Sequence, residues 1–294
     1  NDWQKVGAMA GNVINYVCDQ SGIVAVTSKE RTPGVWELET TKLDTVGAEE
    51  LWKVAVGFDP THAQVAHTKD GFWFVTAPSP IHKDYPIIML SRDGKNWSWR
   101  GNRTTDFMAV AQGVGATVAV GADGTIMVSH DMGLSWRDVR TTTKRTFRDV
   151  CVSKDGTFGI AVGDGGTIYY TKSSIDYWTR STYELPVDLT SCTIDETDGR
   201  FHVDFAGKDG LFYVAKDRSL GQINLVTSTS FENIETLATL PTGEVLAGGG
   251  NYQSPDMICE DGFLIIDGQK PWNMWLTTLI SLLLLGFWGY TIRL

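Results

Sequence analysis

The chain has 294 residues, 42% of them hydrophobic, with 31 glycines, 11 tryptophans and a formal net charge of −10. That composition suits a folded, turn-rich protein large enough for one big all-β domain, and it argues against disorder. The acidic balance, with no basic run, argues against nucleic acid as a partner, because phosphate binding needs a positive patch.

Taken in chain order, the elements are short β-type runs separated by Gly, Asp and Asn turns, with no convincing 3.6-residue period before residue 270. The first residue is Asn1 rather than methionine, which fits a mature chain whose signal peptide has been removed. YVCDQSGIVAVTS at 16–28, GVWELET at 34–40 and LWKVAV at 51–56 form a first group of strands. AQVAHTKDGFWFVTA at 63–77 and IIMLSRDGKNWSW at 87–99 form a second. Between them the proline-rich segment 77–86, APSPIHKDYP, interrupts that group after its second strand. Such a loop projects from one rim, and Pro78, Pro80, His82 and Tyr85 are its candidate partner contacts.

The central part repeats. VGADGTI at 120–126 returns as VGDGGTI at 162–168, an offset of 42 residues, and Trp136 then corresponds to Trp178. The first copy divides into four runs, Met108–Gln112, Thr117–Val120, Thr125–Ser129 and Trp136–Val139. A four-stranded unit recurring every forty residues or so is the signature of a propeller blade. GKDGLFYVAKD at 207–217 repeats GADGTIMVSHD at 121–131, and TLPTGEVLAGGG at 239–250 with EDGFLIIDG at 260–268 supplies another unit. The predicted fold is therefore an all-β propeller over 1–269 with six blades, or seven if two have been merged. DWQKV at 2–6 resembles the outermost-strand sequence SWRDV at 135–139, so Trp3–Val6 is expected to complete the last blade and close the ring.

Residues 129–136, Ser129-His130-Asp131-Met132-Gly133-Leu134-Ser135-Trp136, match S-x-D-x-G-x-x-W throughout. Ser91, Asp93 and Trp97 form a shortened copy, and Thr171 to Trp178 a degenerate one. In such a turn Ser and Asp accept backbone N–H groups, Gly takes a positive φ, and Trp wedges between sheets. The motif resembles the Asp-box of the bacterial neuraminidase repeats, where it is structural. With the VG-x-x-GTI strands, it is similar to the photosystem II stability/assembly-factor-like branch of those propellers. The likeness is best over 105–182. It implies a propeller that assists a membrane complex, either as an assembly factor or, as in related proteobacterial propellers, beside transporters of the resistance–nodulation–division class. The resemblance also raises a sialidase-like or glycan-binding reading. Sialidase chemistry needs an arginine triad, a Tyr–Glu pair and an Asp acid. The customary F-R-I-P element is absent, and Arg31, Arg145 and Arg148 fall in no equivalent pattern. No catalytic residue, cofactor or small-molecule substrate is therefore predicted.

None of Cys18, Cys151, Cys192 and Cys259 forms a C-x-x-C pair, so no metal site is predicted. The even count permits two disulfides in an oxidising compartment, with the pairing open, and buried free thiols are the alternative. Of the five histidines, His62 and His67, five apart, read as ordinary surface or turn residues rather than metal ligands, and His130 lies inside the Asp-box.

Residues Met274–Ile292 read MWLTTLISLLLLGFWGYTI, without a charge, and at about 1.5 Å per residue they cover roughly a 30 Å hydrocarbon layer. Trp272 and Trp275 flank one end, Trp288 and Tyr290 the other. Residues 270–294 are thus expected to form a single transmembrane anchor, with Trp275, Ser281 and Trp288 as candidate helix contacts. Lys270 and Arg293 nearly balance, and the absent methionine tips the expectation toward a periplasmic propeller on a bacterial inner membrane with a cytoplasmic C-terminus. The function expected is a non-enzymatic accessory subunit of an integral membrane complex.

Overall fold

A computed structural model describes residues 12–19, 22–33, 35–43, 48–56, 64–67, 73–77, 87–91, 96–100, 107–196, 199–226, 233–239, 245–249 and 263–266. Among these residues the chain is all-β, built from antiparallel sheets whose strands follow one another in sequence. The first sheet holds β1 (Asn12–Asp19), β2 (Gly22–Thr32), β3 (Val35–Leu43) and β4 (Ala48–Val56). The second holds β5 (Gln64–His67), β6 (Trp73–Ala77), β7 (Ile87–Ser91) and β8 (Trp97–Trp99). The third holds β9 (Phe107–Gly113), β10 (Ala116–Gly121), β11 (Ile126–Ser129) and β12 (Arg137–Val139). The fourth holds β13 (Phe147–Val152), β14 (Gly159–Gly163), β15 (Thr167–Thr171) and β16 (Trp178–Arg180). The fifth holds β17 (Leu189–Asp195), β18 (His202–Gly207), β19 (Phe212–Ala215) and β20 (Ile223–Val226). The last has three strands among the described residues, β21 (Ile234–Thr239), β22 (Val245–Gly249) and β23 (Phe263–Ile266).

The first strand of each sheet lies against the first strand of the next, in the order β1, β5, β9, β13, β17, β21. Sheets stacked in this way have two covered faces, and the residues follow. All residues of β10, β14 and β15 are buried. Side chains alternate across a strand, so Val118 and Val120 pack toward the fourth sheet while Ala119 packs toward the second. Ile160 and Val162 likewise meet Phe205 of the fifth sheet, and Ala161 turns back to the third. The core is therefore a series of apolar layers between neighbouring sheets. Bulky residues on one face and alanine on the other allow close stacking.

The repeated V-G-x-x-G sequence is explained by the hairpin joining second and third strands. Asp123 and Gly124 have φ of 54° and 70°, and the Thr125 N–H donates to the Ala122 carbonyl at 3.0 Å. Two consecutive left-handed positions are the signature of a type I′ turn, which suits Asp-Gly and Gly-Gly. Gly165–Gly166 and Asp209–Gly210 repeat it. This turn corrects one expected boundary. Thr125 closes the turn rather than opening the strand, so β11 begins at Ile126.

A second recurrent feature is a β-bulge near the start of the first strand. It falls at Arg148, Thr190 and Glu235 in three successive sheets. A bulge adds one residue and bends the strand. It lets the residue that follows, Asp149 in β13 and Ser191 in β17, reach across to the next sheet.

Among the described residues no helix is long and apolar enough to cross a membrane. The segment Met274–Ile292 and Trp3–Val6, the residues expected to close the ring, lie outside the described residues.

Candidate functional site: polar clusters between neighbouring sheets

The turn at 129–136 is knit by its own side chains. The Ser129 hydroxyl donates to Asp131 Oδ1 at 2.8 Å and accepts the Gly133 N–H at 2.7 Å. Asp131 also accepts the Ser135 hydroxyl at 2.6 Å and the Ser135 N–H at 2.8 Å, and these bonds hold its carboxyl down at about 2. Met132 and Gly133 take positive φ, 59° and 79°. The Trp136 indole N–H leaves this turn altogether and donates to the Arg100 carbonyl of the preceding sheet at 2.7 Å. Its ring packs beside Ile88, Leu90 and Met127. A cleft of about 440 Å³ opens next to it, lined by Leu90, Ser98, Arg100, Asp131, Met132 and Leu134 among others.

The related turns differ in how much of this pattern they keep. Thr171 accepts the Gly159 N–H at 2.9 Å, but Trp178 donates to Ile175 within its own turn. Asp217 stands where the repeat puts Asp131. It accepts the Ser219 side chain and its N–H, which lowers its carboxyl. In the shortened copy Ser91 is buried in β7 and Trp97 opens β8, while Asp93 lies outside the described residues. The same holds for the loop residues Pro78, Pro80, His82 and Tyr85, although the flanking β6 and β7 do pair as the second and third strands. Trp275, Ser281 and Trp288 also lie outside.

Neighbouring sheets are further joined by charged groups. Both His130 ring nitrogens face acceptors, with Nδ1 3.1 Å from the Gly115 carbonyl and Nε2 3.0 Å from Asp176. Arg137 also bonds Asp176. Arg218 donates to Thr157 at 2.7 Å and Asp155 at 3.0 Å, and its guanidinium lies 4.9 Å from the Phe201 ring centre. Burial alone would raise Asp155, but Ser153, Thr157 and Arg218 hold its carboxyl below the usual range. Arg145 donates to the Gly165 carbonyl at 2.6 Å, Arg148 to Asp164 at 2.7 Å, and Arg31 to Glu37 at 3.0 Å. Arg31 thus bonds within the β2–β3 hairpin, while Arg145 and Arg148 both reach the turn between β14 and β15.

Two clusters depart from the apolar pattern. In the fifth sheet Asp204 occupies the repeat position of Val118 and Ile160. Asp195 and Asp204 are buried, and His202 Nε2 lies 3.5 Å and 3.3 Å from them. The other cluster joins β13 to β17. Asp149 Oδ2 accepts the Ser191 hydroxyl and the Cys192 N–H, both at 2.9 Å, while Oδ1 accepts the Val150 N–H at 2.8 Å. Ser191 in turn accepts the Leu237 N–H of β21 at 3.1 Å. Asp149 thus ties β13 to the backbone of β17, and Ser191, together with the Thr190 hydroxyl on the Ile234 carbonyl, ties β17 to the backbone of β21. Burial pushes the Asp149 carboxyl up to about 6.

Cys151 and Cys192 point into this same interface and are free thiols. Their sulfurs and the Asp149 carboxylate lie within 4.8 Å of one another. Cys18 falls in β1 and Cys259 outside the described residues. Sequence reasoning missed the Asp149–Ser191 tie and the His202 trio. A signal for the trio existed, namely an aspartate at a repeat position that is apolar in two other sheets. The tie leaves none, because it depends on bulges.

No protein-family profile matches the chain, and neither does any curated protein. Solved structures do match. Sqt1 from Chaetomium thermophilum aligns with a TM-score of 0.53 at 13% identity, over 82% of this chain and 67% of that one. The Dos1 propeller aligns with a TM-score of 0.53 at 12% identity, over 76% of this chain and 61% of that one. The chain therefore spans about two thirds or less of the length of these structures. Identity at this level carries the fold alone. By its antiparallel sheets and its structural neighbours, the chain is a β-propeller.

Proposed function

We propose that this protein is a non-enzymatic propeller anchored to a membrane, serving as an accessory or scaffolding subunit of an integral membrane complex. The observation that carries the reading is the uncharged stretch Met274–Ile292, bordered by Trp272, Trp275, Trp288 and Tyr290, which follows the propeller directly. Its length suits one span, and its aromatic ends suit the two interfaces. In this reading 1–269 is a six-bladed ring, with Trp3–Val6 pairing as the fourth strand of the β21–β23 sheet, and 270–294 is the anchor.

A tethered propeller meets its partner at high local concentration, so a modest contact surface is enough for stable occupancy. The resemblance to propellers found beside resistance–nodulation–division transporters supports a transporter of that class as the partner. It also supports a periplasmic propeller on a bacterial inner membrane. Asp131, Asp155 and Asp176 are engaged in turns and sheet-to-sheet ties, which supports the non-enzymatic part.

The test is purification of the full chain from its native membrane in mild detergent. Co-elution with one integral membrane protein is the expected result, lost when residues 270–294 are removed. A monomer in every detergent, or extraction by salt without detergent, would overturn the proposal. A screen of sialosides and other glycosides serves as the check on enzymatic readings, with no turnover expected.

A further inference from the structure

We infer that Cys151 and Cys192 are a disulfide-forming pair, a covalent staple between the fourth and fifth sheets of the propeller. The inference concerns the propeller itself and holds whatever the partner is.

Three observations carry it. The two sulfurs lie within 4.8 Å of each other. They come from neighbouring first strands of different sheets, β13 and β17, which share no ladder. The backbone around them is already clamped, since Asp149, two residues before Cys151, accepts the Cys192 N–H at 2.9 Å. A sulfur–sulfur bond of about 2.05 Å then has only the remaining gap to close, between strands already held side by side.

The surroundings favour a disulfide over a metal ion. Cys192 is part of the apolar layer formed by Ile160, Val162, Leu189 and Phe205, and Cys151 packs against that layer. Burial pushes both thiols up, and Asp149 nearby adds to the effect. A metal would require two thiolates and a carboxylate together in that layer, with the Asp149 oxygens already accepting three hydrogen bonds. A disulfide is neutral and apolar and suits the site as it stands.

The oxidant is a small-molecule or protein disulfide. One cysteine sulfur attacks it as thiolate, forming a mixed disulfide and releasing one thiol of the oxidant. The second cysteine sulfur then displaces the other half. The two cysteine protons leave on the two released thiols, the oxidant gains two electrons, and the Sγ–Sγ bond forms. Because the pair is buried, the exchange proceeds during folding or through local opening.

The experiment equilibrates the full chain in glutathione buffers of graded oxidised-to-reduced ratio. Free thiols are then blocked under denaturing conditions and non-reduced peptides are mapped by mass spectrometry. The expected result is one linked peptide joining Cys151 to Cys192, absent in Cys151→Ser and in Cys192→Ser. A Tm roughly 5–10 °C higher in oxidised than in reduced wild type should vanish in both variants. If either variant fails to fold, peptide mapping of the wild type decides alone. Both thiols fully alkylated at the most oxidising ratio would overturn the proposal. So would a different pairing, or zinc retained in native mass spectra and lost in either variant.

Discussion

The Trp136 indole N–H donates at 2.7 Å to the carbonyl of Arg100, a residue 36 positions earlier that follows the outermost strand of the preceding sheet. The turn that ends one hairpin is thereby fastened to the neighbouring sheet, and the ring seals the edge of the layer containing Ile88, Leu90 and Met127. Trp136→Phe keeps most of the ring and strands one carbonyl, and should cost about 1 kcal/mol. Trp136→Ala also opens the layer and should cost about 3 kcal/mol. Urea unfolding of both variants checks the ratio, and equal losses would mean that the hydrogen bond is the whole effect.

Gly166 and Gly115 separate strain from crowding. Both have positive φ, 66° and 70°, but a Cβ on Gly166 would lie 2.1 Å from the Leu185 carbonyl, whereas one on Gly115 would meet nothing within 4 Å. Gly115→Ala should cost about 1 kcal/mol, for backbone strain alone. Gly166→Ala should cost about 3 kcal/mol or more, because the backbone of the connection to β17 must move as well. Denaturant midpoints of the two single variants measure the difference.

His130 gives the fold one dependence on pH. Its bond to Asp176, and then that to the Gly115 carbonyl, raise it above the ordinary 6.5. Only the imidazolium can donate to both acceptors. A folded value above the unfolded one contributes stability that is complete below about 6.5 and lost as pH rises through the folded value. The difference in Tm between wild type and His130→Phe should therefore shrink from pH 6 to pH 8. NMR titration of the His130 ring should place its midpoint above 6.5. A midpoint below that value would exclude the linkage.

Asp149 acts in the opposite range. Its carboxyl is raised to about 6 in the folded chain against an ordinary value of 3.8. Between those values the folded state binds the proton that the unfolded chain has released, so this group lowers stability as pH rises from about 4 to about 6. Asp149→Asn should flatten that part of the stability–pH curve. Asp149→Ala removes the acceptor of the Ser191 hydroxyl and the Cys192 N–H, and should destabilise by about 2 kcal/mol even at pH 7. Chemical unfolding at pH 4, 5, 6 and 7 tests both.

What the residues alone determined is the repeating unit. The V-G-x-x-G turn, the Ser129–Trp136 motif and the runs between them mark the four strands of the 107–139 unit to within a residue, because turn chemistry is local. In the first sheet, where no such turn recurs, β1, β3 and β4 extend three or four residues beyond the expected runs. Asp-Gly and Gly-Gly demand left-handed positions, and buried strands need apolar side chains on both faces. The tertiary structure alone decided which polar groups meet across sheets. Asp149 reaches Ser191 and Cys192, and Cys151 comes beside Cys192, only because bulges at Arg148 and Thr190 set the register between two strands that share no ladder. No local pattern encodes such a meeting. It depends on how two sheets stack, which is the sum of every apolar contact between them.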